Sequence, residues 1–99
     1  MSLTKQEKEL TKRYVANGAE IMFIPSTALV EQVARGELPT GQLNDSIELA
    51  LLTKEPIRMH PDMIVRYCDD QLNKRNTWVL DRGDIKIVPK RLETKMEDK

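Results

Sequence analysis

Breaking residues recur so often in this chain that no long element can form. Five prolines and four glycines are spread over ninety-nine residues. Gly18, Pro25, Gly36, Pro39, Pro56, Pro61, Gly83 and Pro89 each fall where a run of patterned residues begins or ends. Proline lacks the backbone donor that a helix interior needs, and glycine supplies the left-handed conformation in which helices stop. The fold must therefore be assembled from short helices and strands. No apolar run approaches the ~20 residues that span a bilayer, so no membrane partner is expected.

The first segment opens on Thr4-Lys5-Gln6-Glu7, a capping box in which hydroxyl and carboxylate each satisfy the other residue's backbone N–H. It predicts a helix from Lys5 to Ala16, stopped by Asn17-Gly18, with a thin apolar side made chiefly of Leu10 and Tyr14. Ile21 to Ile24, closed by Pro25, reads as a buried strand. Periodicity alone leaves open a continuation of the first helix. Ser26 caps a second helix that carries Leu29, Val30 and Val33 and ends at Gly36. A third helix runs from Gly41 to Thr53. At about 100° per residue, Leu43, Ile47, Ala50 and Leu51 share one sector of it, whereas Leu49 and Leu52 point elsewhere.

Pro61 and Asp62 suit the first turn of a fourth helix, one by its fixed φ and the other by its charge at the positive end of the dipole. Ile64, Val65, Cys68 and Leu72 form its inner stripe, and Lys74-Arg75-Asn76 closes it. Thr77 to Leu80 and Ile85 to Val88, around Asp81-Arg82-Gly83-Asp84, read as a β-hairpin. The expected fold is α+β: a helix-dominated single domain over residues 1–99 with four helices and a C-terminal hairpin. Residues 21–24 should add a third strand, since a lone hairpin is marginal in water. Residues 1–4 and 90–99 are the ends expected to fray. Leu29, Val33, Ile47, Leu51, Ile64, Cys68, Leu72 and Trp78 are the expected core.

The chemistry-bearing residues are few. Cys68 and His60 are the sole members of their kinds. Cys68 lies eight positions beyond His60, so along one helix they stand about 12 Å apart, too far for a nucleophile and its base. One cysteine and one histidine cannot make a zinc tetrad, and the dispersed glycines form no phosphate loop. No catalytic residue, metal or cofactor is expected, and Cys68 reads as a small hydrophobe in the core. A single cysteine allows no intramolecular disulfide. The N-terminus lacks the apolar stretch of a secretion signal, so a cytoplasmic protein is expected. Arg82-Gly83-Asp84 reads as an ordinary polar turn.

The function must then come from a surface. Sixteen basic residues balance sixteen acidic ones, whereas a protein built to neutralise phosphates carries a basic excess. Residues 26–53 hold one basic residue against four acidic ones, and residues 54–91 hold nine against six. The favoured reading is a small regulatory or adaptor protein that binds a protein partner or itself through Leu49 and Leu52. The order of helix three, helix four and hairpin resembles that of a winged helix, which implies the alternative of a DNA-binding regulator. Helix four would then enter the major groove, with Arg82, Lys86, Lys90 and Arg91 on phosphates. Asp62, Asp69 and Asp70 on the outer side of that helix would repel the DNA backbone, which favours the protein partner.

Overall fold

The computed structural model describes residues 3–88. The element order is α1 (Lys5–Ala16), β1 (Glu20–Ile24), α2 (Thr27–Ala34), α3 (Asp45–Thr53), β2 (Ile57–Met59), α4 (Pro61–Cys68), α5 (Lys74–Arg82) and β3 (Asp84–Val88). The strands form an antiparallel sheet in the order β2-β1-β3. The α+β class, the dominance of helix and the pairing of residues 21–24 with the C-terminal strand follow the sequence-based expectation.

Register assigns the two faces of the sheet. Ile21 lies between Met59 and Ile87, and Phe23 between Ile57 and Ile85, so these six side chains share one face. That face joins Leu29, Ile47, Ala50, Ile64, Tyr67, Val79 and Leu80 in a continuous core. The other face carries Glu20, Met22 and Ile24 of β1, Arg58 of β2, and Asp84, Lys86 and Val88 of β3. The Arg58 guanidinium donates to Glu20 across it at 3.2 Å.

Local chemistry explains most boundaries. Both bonds of the Thr4–Glu7 capping box form. The Ser26 hydroxyl accepts from the Leu29 N–H, and the His60 ring Nδ1 accepts from the Asp62 N–H ahead of Pro61. His60 is thus the cap of α4. Helix three starts at Asp45 rather than Gly41, because the Asn44 side chain caps it by accepting from the N–H groups of Ser46 and Ile47.

The C-terminal third departs from expectation. The fourth helix stops at Cys68, since Asp70 takes a left-handed conformation with φ at 58°. Asn73 then caps a new helix by accepting from the Asn76 N–H. The first arm of the expected hairpin, Thr77 to Leu80, lies inside that helix, α5. Asn76, Val79 and Leu80 face inward at helical spacing and are buried. Burial along a 3.6-residue period overrides the strand propensity of Thr, Trp and Val. The C-terminal strand β3 is in place, but its partner is β1.

Gly83 is therefore no hairpin-turn glycine. It joins α5 to β3 where the backbone passes against the Phe23 ring, and a Cβ there would sit 2.3 Å from Phe23 Cε1. Of the expected core, Leu29, Ile47, Ile64 and Cys68 are buried, while Val33, Leu51, Leu72 and Trp78 are half-buried against it.

Candidate functional site

Three features stand out on the surface: the outer side of α3, a polar cavity at its N-terminal end, and the basic residues near the C-terminus. α3 is placed by its inner face. Ile47 and Ala50 are fully buried, Leu43 and Leu51 pack half-buried against the core, and the helix lies beside β2. Leu49 and Leu52 are left on the opposite side, 54% and 74% exposed. They are three residues apart and so adjacent on the helix surface, with Asp45 and Glu48 on the same side at helical spacing. An exposed leucine pair costs little in isolation. Four acidic or apolar side chains arranged around one another form a small amphipathic patch.

The cavity, of about 550 Å³, opens between the N-terminal end of α3, α4 and the start of α5. Its wall is rich in carboxamides, among them Gln42, Asn44, Gln71, Asn73 and Asn76. Their hydrogen bonds tie the chain together. The Asn76 side chain accepts from the Asn44 N–H at 2.9 Å and donates to the Gln42 carbonyl at 3.3 Å. Asn73 donates to the same carbonyl at 2.8 Å, and the Arg75 guanidinium donates to the Pro39 carbonyl. These bonds anchor the segment before α3, including its cap residue Asn44, to the start of α5. Sequence reasoning missed this clamp because it treated residues 74–76 as the end of a helix. The signal that pointed to it was Asn73, a preferred N-cap residue three positions before Asn76.

Of the basic residues of the alternative reading, Arg82 and Lys86 lie within the described residues, in α5 and β3 respectively. Arg82 ends α5, with its guanidinium 4.2 Å from the Trp78 ring centroid and bonded to the Trp78 carbonyl at 3.2 Å. Lys86 is exposed on the outer face of the sheet, opposite Met22. Lys90 and Arg91 lie outside the described residues. α4, the expected groove-reading helix, packs on one side against α1 and leaves Asp62 and Arg66 exposed. Lys12 donates to Asp69 at 2.7 Å and Lys8 pairs with Asp70 at 3.4 Å.

Cys68 is a free thiol, 8% exposed, and burial pushes its pKa above the ordinary value. That is the environment of an unreactive core cysteine. Among the described residues no three His, Cys, Asp or Glu side chains could share a metal ion, and no helix is long and apolar enough to cross a membrane. No protein-family model, curated protein or solved structure matches the chain, and its chemistry is the guide to what it does.

Proposed function

We propose that the chain is a small regulatory or adaptor module that binds a protein partner through the outer side of α3. The observation that carries this reading is the exposure of Leu49 and Leu52 on a helix whose opposite side is fully committed to the core. The chemistry of the patch suggests its partner. Two leucines rimmed by Asp45 and Glu48, in a segment with four acidic residues and one basic one, suit an apolar anchor flanked by lysine or arginine. Apolar burial supplies the affinity in such a contact, and the charged rim sets orientation and encounter rate.

The test compares the native chain with a Leu49→Ser, Leu52→Ser double variant. Capture from cell lysate, with and without nuclease, and sedimentation of the purified protein read partner binding and self-association. The double variant should lose the captured protein or the self-association and keep its thermal midpoint, since both side chains are outside the core. Capture that disappears with nuclease, and is weakened by Arg82→Ala with Lys86→Ala but not by the serine pair, would replace this reading with the DNA-binding one.

A further inference from the structure

The longest helix of the fold is the one least held by burial. Of the twelve residues of α1 only Thr11 is buried, and its hydroxyl bonds within the same helix, to the Glu7 carbonyl at 2.8 Å. Leu10 and Tyr14 are 44% and 45% exposed, and Val15 is only half-buried against the core. α1 packs chiefly on α4, and charge makes the specific contacts there. Lys12 pairs with Asp69 at 2.7 Å, Lys8 with Asp70 at 3.4 Å, and the Lys8 ammonium sits 5.1 Å from the centre of the Tyr67 ring.

The carboxylates that receive these lysines are badly placed for α4 itself. Asp69 is its C-cap and Asp70 follows in the left-handed conformation. A helix C-terminus carries partial negative charge and favours cations, and the left-handed position after it favours glycine or asparagine. Two aspartates there run against the charge preference of a helix end. The lysines of α1 offset the charge, which gives the pair a purpose that α4 alone does not. Local rules tend to be broken where a sequence serves something other than stability.

We propose that α1 is a charge-held latch, which detaches from α4 as a unit while the rest of the fold stays intact and uncovers the side of α4 bearing Cys68. Exposed ion pairs are individually weak and are screened by salt. A helix of this length is marginal on its own, so detachment and unwinding occur together. Opening is therefore a local event, governed by ionic strength and by anything that competes for Lys8 and Lys12. Cys68 reports it from within: Lys8, Lys12 and Glu9 of α1 all act on its thiol, and the thiol is shielded while the helix is docked.

The experiment labels Cys68 in the full-length protein with iodoacetamide, a neutral reagent whose own encounter is insensitive to salt. Raising NaCl from about 0.01 M to about 1 M shortens the Debye length from about 30 Å to about 3 Å. Labelling should accelerate about two- to five-fold, and Lys12→Gln at low salt should give a similar acceleration. The thermal midpoint, read on α5 and the sheet, should stay in place. The direction in Lys12→Gln is diagnostic. Lys12 lowers the thiol pKa, so its loss without opening would make labelling slower. Hydrogen exchange of the unmodified protein adds a second measurement, in which the α1 amides should exchange as a block ahead of those of α5. Slower or unchanged labelling in Lys12→Gln, acceleration that only follows a fall in global stability, or α1 amides as protected as that of Val79 would each overturn the proposal.

Discussion

α1 and α5 are both short, charged helices, and the fold holds them in opposite ways. α1 is the longer, at twelve residues, with an optimal N-terminal cap, yet it buries one side chain. α5 has nine residues, two of them β-branched and one a tryptophan, and buries Asn76, Val79 and Leu80. Intrinsic preference would rank α1 as the stable helix of the two. Packing reverses the order, because most helical stability in a protein comes from burial of one face and not from propensity. Good local signals mark where a helix starts, and say little about how firmly it is held.

The largest expected effect tests this contrast directly. Leu80→Ala removes a fully buried side chain and should cost about 2–5 kcal/mol, whereas Leu10→Ala on the exposed side of α1 should cost less than about 0.5 kcal/mol. Denaturant unfolding of the two variants measures both. Equal losses would mean that α1 is as much part of the core as α5.

Gly83→Ala probes the junction that lets α5 turn into β3. The added methyl group would meet the Phe23 ring well inside contact distance, and overpacking of this kind costs about 1–3 kcal/mol. A neutral thermal melt for this variant would show that the Phe23 ring is free to move aside. Asn76→Ala removes the bonds to the Asn44 N–H and the Gln42 carbonyl. A loss of about 1–3 kcal/mol is expected, chiefly from the Asn44 N–H, since the Gln42 carbonyl keeps its bond from Asn73. Exchange protection should fall at the Asn44 amide before it falls in the sheet, and uniform protection across both would remove the clamp from the account of α3.

The smallest effect is a pH dependence at the seam between α1 and α4. Lys12 is held above its ordinary pKa by its hydrogen bond to Asp69, and Cys68 above its own by burial. In both, the folded state holds the proton more tightly than the unfolded chain does. Their contribution is complete at neutral pH. It is lost as pH rises from the ordinary thiol range near 8.5, and the ordinary lysine range near 10.4, through the higher folded values. The thermal midpoint should be flat from about pH 6 to about pH 8 on this account and should fall above it. A midpoint that climbs at alkaline pH would contradict the directions assigned to both groups.

How much of this was readable in advance depends on how local the deciding interaction is. The capping box at Thr4, the Ser26 cap and the helix start at Pro61 are written in neighbouring residues, and the sequence alone determined them. It also determined the two-sided pattern of α3, since helical geometry puts Leu49 and Leu52 opposite Ile47 whatever the helix packs against. Residues 21–24, by contrast, became a strand rather than more of α1 only through their pairing with β2 and β3. β2 was missed because three residues, Ile57-Arg58-Met59, are too few to show a period. They become a strand only through the edge that β1 offers. The segment Thr77-Trp78-Val79-Leu80 satisfies strand and helix patterns equally over four positions. The tertiary structure decided between them. As helix it puts Asn76, Val79 and Leu80 together against the core and leaves β1 free to take β3 as its second partner, because burial is a property of the assembled elements and no short window of sequence contains it.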